Sequence, residues 1–495
     1  MEPLWEAPTP QTPMAFLELE KWAMVAANQQ ADAVVGHHLI AAHQDAVFVE
    51  QAVAAARDRH GELRHKGTRT TSVWLQGGSL CVVKTPYLRP PTPKRPGRKR
   101  TRRGPTGPGV YPVLEALGIA DRASPATRSQ IALYTVQAGS YQEAVVLLAE
   151  HGFQVDPTTL RRVAQSTART DIVLREAALD QARRQPVNAA GPLAGLRVRV
   201  SVDGGRVRTR VLRPGRKTKK GRHRFKTPWR EPRVLLIDVL DRNGKADRLR
   251  LPLYDVLLDD ADATVAVIIG YLRLLGAAHA TMVEFIADGA EWQWERSEKI
   301  RREAEIPAQR WVEVIDFYHA SEHLHDTIEL CRNRKPSERK QWYEKLRHTL
   351  RTDPDGVHKV IEALKPEATG RRAPKMNTAI AYFERHTHRM AYVDLDRRHL
   401  PVGSGPVESA VRRVINLRFK APAIFWEAET VADLMHLRAA FKAGRWHEMM
   451  ERVLTQTFPV PSFAQLKRHQ IEALMPPEPE PPEEAETPQP ARRRA

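Results

Sequence analysis

Apolar residues recur at helical spacing through residues 13–60, an Ala-rich stretch with no internal proline, and predict two or three helices. The next stretch, TSVWLQGGSLCVVK at 71–84, reads as a strand, a Gly-Gly turn and a second strand. Three short helices are expected over 124–168. Within them Ala144, Val145, Leu147 and Leu148 form an apolar stripe, Gly152 breaks the helix, and Asp156-Pro157 supplies an N-cap with proline at N1. From residue 196 the period changes to that of strands: LRVRVSVDGG, VRTRVLR, VLLIDVL and RLRLPLY. A helix at 263–278 and strands in MVEFIADGA (282–290) and VEVIDFYHA (312–320) complete an α/β unit with a mixed sheet. Charged, helix-rich sequence follows over 321–395.

At 495 residues the chain exceeds one compact core. The organisation expected is a helical region at 1–62, a strand pair and basic linker at 63–109, a helical domain at 110–190, the first part of an α/β core at 191–320, a helical insertion at 321–399, the core's C-terminal helices at 400–470 and a disordered tail at 471–495. A formal charge of +19 points to a polyanionic partner, nucleic acid ahead of an anionic membrane surface. No window approaches ~18 uninterrupted apolar residues, so no membrane span is expected. The first residues, MEPLWEAPTP, lack the layout of a signal peptide. A soluble, cytoplasmic protein is the expectation. Two cysteines, Cys81 and Cys331, suggest neither a disulfide framework nor a zinc site.

The charge is concentrated. Residues 84–109 hold no acidic residue, and Arg98, Lys99, Arg100, Arg102 and Arg103 suit phosphate contacts, although a solubilising linker has the same composition. A second run, 213–230, with Arg216, Lys217, Lys219, Lys220 and Arg222, is long for a hairpin between core strands and is expected to touch DNA backbone. Thr158, Thr159, Arg161 and Arg162 open the helix after Asp156-Pro157, the layout of a helix-turn-helix that reads base edges; an ordinary helical hairpin fits the same pattern.

Three acidic residues stand apart. Asp203 ends a strand before two glycines, which is also a hairpin-turn signal. Asp288 ends another strand before Gly289, with a helix expected next. Glu408, in LPVGSGPVESAVRRVI, opens a basic helix. It could pair with Arg412 one turn on, but it shares a face with Val411 and Ile415 that should pack inward. Two aspartates and a glutamate are the oxygen donors that two Mg²⁺ ions need for phosphoryl transfer, with no tuned base required.

Together YPVLEALGI, the helix-turn-helix region, VSVDGGRVRTR, ADGAEWQW, DFYHASEHL, LPVGSGPVESAVRRVI and ADLMHLRAAFKAGRW span 110–447, and as a set the chain resembles the DDE transposases of bacterial insertion sequences, most closely the ISKra-type group. The resemblance implies an RNase H-like catalytic core, with Asp203, Asp288 and Glu408 as the acidic triad holding two Mg²⁺ ions, Mn²⁺ being able to substitute. It implies that 321–395 is an insertion before the Glu, and that Asp316-Phe-Tyr-His319 matches a (C/D)xxH motif. That motif puts His319 near the scissile phosphate, or leaves it a core histidine. Relatives often carry a cysteine cluster near the N-terminal strand pair; here only Cys81 remains, so zinc is not expected. The activity implied is hydrolysis at terminal inverted repeats and joining of the freed 3′-hydroxyl to target duplex DNA. The protein would act as at least a dimer, in a bacterial, nucleoid-associated setting. Arg412 would lie beside DNA phosphates or brace the glutamate. A catalytically inactive or domesticated DNA-binding descendant, and an RNase H-like nuclease without strand transfer, are the alternatives.

Overall fold

The computed structural model describes residues 9–91, 109–421 and 424–475. The basic residues Arg98, Lys99, Arg100, Arg102 and Arg103, and residues 476–495 of the expected tail, lie outside them; residues 471–474 of that tail are helical, contrary to expectation. The chain is a helix-rich α+β protein built on a five-stranded mixed sheet.

The N-terminal helices are α1 (Pro13–Gln44) and α2 (Ala46–His60), separated by Asp45, whose carboxylate caps α2 by accepting the Val47 and Phe48 N–H groups. Strands β1 (Arg64–Trp74) and β2 (Leu80–Arg89) pair antiparallel as expected. β2 runs through Arg89, so the first residues of the basic linker belong to a strand. Short α3 (Pro112–Ala116) leads to α4 (Pro125–Gln137), α5 (Tyr141–Glu150) and α6 (Pro157–Arg184). Gly152 takes φ +79° after α5, and Asp156 caps α6. Two details differ from expectation. Leu147 of the stripe is exposed, while Ala144 and Leu148 are buried with Phe153, Leu160 and Val163. And α6 is 28 residues long, because its second half finds a second core to pack on.

Strand β3 (Arg197–Gly204) opens the sheet; two short ribbons outside it follow, β4 (Val207–Arg208) with β7 (Trp229–Arg230) and β5 (Val211–Leu212) with β6 (Phe225–Lys226), and then the sheet strands β8 (Arg233–Leu240) and β9 (Leu253–Leu257). Helix α7 (Ala261–Leu274) crosses to β10 (Met282–Ala287), and α8 (Glu291–Glu303) to β11 (Trp311–Ile315). The order is β11-β10-β3-β8-β9, with β11, β10 and β3 parallel and β8 and β9 antiparallel additions. Along β8, Leu235 and Ile237 face the core built with α7, whereas Val234 and Leu236 face the C-terminal helices. Both faces are covered, which is why this strand is almost continuously apolar.

The insertion supplies α9 (Phe317–Glu329), α10 (Pro336–Thr352), α11 (Gly356–Leu364), α12 (Ala373–Arg385) and α13 (Tyr392–Arg397), whose apolar faces join the α7-side cluster. The chain returns through α14 (Gly405–Val411), a π-turn at Arg412–Asn416 and α15 (Leu417–Phe419), then α16 (Ala428–Lys442), α17 (Trp446–Thr455) and α18 (Arg468–Leu474). No described helix is long and apolar enough to cross a membrane.

A candidate carboxylate site at the strand ends

Three parallel strands end side by side, and each delivers an aspartate there. Asp203 lies at the end of β3, and Asp288 follows β10 one residue past the Ala287–Val202 register pair. Asp316 follows β11 and caps α9, accepting the Tyr318 N–H at 2.6 Å and the His319 N–H at 3.0 Å. The carboxyl edge of parallel strands is where open α/β sheets gather their chemistry. Asp203 sits in no tight hairpin: β3 pairs with β8 across the whole ribbon excursion, so the turn reading of Asp-Gly-Gly fails.

Glu408 reaches this edge because its loop is fastened to the end of β11, across the whole helical insertion. The fastening has two bonds. The Ser404 N–H donates to Asp316 Oδ2, a residue 88 positions earlier, and the Phe317 N–H donates to the Val402 carbonyl at 2.8 Å. Ser404 is the N-cap residue of α14, which puts Glu408 at the fourth helical position. Val411 and Ile415 are buried, as expected of their face. Glu408 is at the rim of that face and half exposed, so its carboxylate looks toward the strand ends and not into the core. It accepts from the Ser404 hydroxyl at 3.0 Å and lies 4.0 Å from His319 Nε2. Among the described residues, no ion pair joins it to Arg412. Arg413 turns away to donate to the Tyr254 hydroxyl at 2.7 Å.

Electrostatics tie these groups together. The Asp203 carboxyl is pushed up to about 6, first by burial and then by the nearby charges of Asp288 and Glu408, against the Gly204 N–H and His319, which favour ionisation. Beyond burial, the part of the rise that comes from Asp288 and Glu408 is repulsion between like charges close to one another. Around them the scaffold is specific. The Asp288 carbonyl accepts from Trp294 Nε1 at 2.9 Å, its Oδ1 accepts the Ala290 N–H at 3.0 Å, and Gln293 Nε2 donates to the Val202 carbonyl at 3.2 Å.

Two contributors were not legible in the sequence. Ser404 positions both its own loop and Glu408. Tyr382, on α12 of the insertion, stacks on His323 with ring centroids 4.0 Å apart and closes over Gly289, where an added Cβ would lie 2.5 Å from its ring. Burial and the charges of Asp288 and Asp316 raise the Tyr382 hydroxyl above its usual range. Nothing near residue 382 in sequence marks it; the contact exists because α12 folds back onto the loop after β10.

Among the described residues, no three or more His, Cys, Asp or Glu side chains are drawn tightly enough to hold a metal ion as they stand. The donor set still fits a hard divalent cation in kind: three carboxylates, of which Asp203 already experiences the other two as repulsive charges that a cation would relieve.

The cationic residues fall in two places. Arg216, Lys217, Lys219, Lys220 and Arg222 are all exposed on the ribbon excursion that leaves the sheet just after Asp203. Thr158 is exposed at the start of α6, but the Thr159 hydroxyl donates to Asp156 at 2.6 Å, and Arg161 and Arg162 lie 3.8 and 3.6 Å from Glu427 and Asp121. Arg412 is exposed on the π-turn. No known protein family, curated protein or solved structure matches this chain.

Proposed function

We propose that this protein is a DNA transposase of the DDE kind, with an RNase H-like core, acting on the ends of an insertion sequence. The observation that carries the reading is the meeting of Asp203, Asp288 and Glu408 at one sheet edge, where burial first, and then the charges of the other two, raise the Asp203 carboxyl. Asp203, Asp288 and Glu408 would hold Mg²⁺, which when bound supplies Lewis-acid stabilisation for in-line displacement at phosphorus. The chain's own part is positioning. Asp316 and Ser404 hold the Glu408 loop against β11, and His319, 4.0 Å from Glu408, would donate to a phosphate oxygen. The exposed ribbon after Asp203 would hold the duplex backbone across the site. Two element ends processed together require at least two copies of the chain.

The test is cleavage and joining on duplexes bearing the element's own terminal repeats, with Mg²⁺. Asp203→Asn, Asp288→Asn and Glu408→Gln should each abolish cleavage while leaving duplex binding intact. Normal cleavage by any one of them removes that residue from the site. Pre-cut ends that are never joined would favour a nuclease, and binding without cleavage by the wild-type protein would favour an inactive descendant.

A further inference from the structure

Helix α1 carries apolar residues on every side, yet only Asp32, Gly36 and Leu39 of its 32 residues are buried. That narrow face is docked: Asp32 accepts the Gly77 and Ser79 N–H groups, each at 2.9 Å, and Gly36 rests on Cys81. At 100° per residue, the opposite side carries Phe16, Glu20, Ala23, Ala27, Ala31, Val34, His38 and Ala41, flanked by Met24 and Val35. Phe16 is 52% exposed, Met24 63%, Val34 61% and Val35 51%. No charged residue lies between Lys21 and Asp32. A helix of this composition is normally covered.

We propose that a second copy of this chain covers it, the two α1 helices packing antiparallel about a two-fold axis at the height of residue 29 along the helix. The polar residues on the face select this arrangement. Glu20 and His38 are its only ionisable members and lie equally far from residue 29, so antiparallel pairing sets Glu20 of each copy against His38 of the other. The same axis sets Met24 against Val34 and brings Ala27 to Ala31, small residues that let the helices approach to about 8–10 Å. A patch that matches itself in this way is what an isologous dimer requires. A helix of this length paired end to end buries on the order of 800 Å² per copy, the size of a standard stable interface. Each copy's own strand pair lies on the far side of α1 and leaves the face open. The inference does not rest on the proposed chemistry.

Sedimentation velocity on the full chain tests it. The wild-type protein should be a dimer, and Ala27→Glu with Val34→Glu should make it a monomer with unchanged circular dichroism. Glu20→Lys alone and His38→Glu alone should each weaken the dimer by about tenfold. The two together should restore it, a result that holds even if the Ala27/Val34 variant fails to fold. A wild-type monomer, a dimer indifferent to Ala27→Glu with Val34→Glu, or a charge-swapped pair no tighter than either single variant would each overturn the proposal. So would a wild-type monomer that floats with anionic phospholipid vesicles through α1.

Discussion

Asp203 concentrates the site's electrostatic conflict. Its carboxyl is pushed up to about 6, against a usual value near 3.8, by burial and by Asp288 and Glu408. The folded chain therefore takes up a proton at Asp203 before the unfolded chain does as pH falls. The associated stability is fully present below about 4 and is lost as pH rises through 6. Asp203→Asn removes the buried charge, so in chelator the variant should be more stable than wild type at pH 7.5, by on the order of 2 kcal/mol. The gain should shrink toward pH 4. Urea denaturation at the two pH values measures it, and equal stabilities at pH 7.5 would mean that Asp203 is not crowded by its neighbours.

The joint between α6 and the sheet is the element that most needs its charges. Asp171, fully buried, is held by Arg452 at 2.7 Å and by His436 Nε2 at 2.8 Å. Asp255 on β9 accepts from Arg175 of α6 at 2.8 Å and from the Tyr271 hydroxyl at 2.9 Å. Burial opposes ionisation of Asp171, but Arg452 and His436 outweigh it and hold the carboxyl below its usual range. Asp171→Ala leaves the buried Arg452 guanidinium without its carboxylate partner, and should cost about 3–5 kcal/mol by chemical denaturation. A loss below about 1 kcal/mol would show that water reaches the joint. The network also explains the length of α6, whose second half is fixed to β9, α16 and α17 rather than ending after a short helical unit.

At the scale of the whole molecule, two charged regions stand out. The carboxylates gather at the strand ends, while the exposed Arg216–Arg222 segment projects from the neighbouring ribbon. If the ribbon holds phosphates, Lys217→Ala, Lys219→Ala and Lys220→Ala together should weaken duplex binding whatever its sequence. They should also lower the slope of log K against log salt by about 3. An unchanged slope in a filter-binding titration would take the ribbon out of the interface.

Local pattern was enough for the strands that carry Asp203 and Asp288, for the Asp156 cap and the Gly152 break, because each depends on a few adjacent residues. Strand period and glycine placement act at short range. The mixed sheet also followed from the order of strand and helix patterns. What the chain pattern left open is where Glu408 points, and it turns toward the strand ends because Asp316 and Ser404 fasten its loop. Tyr382 over Gly289, and the long α6, likewise depend on partners far away in the chain. Periodicity records which side of an element is apolar, but only packing decides what that side meets.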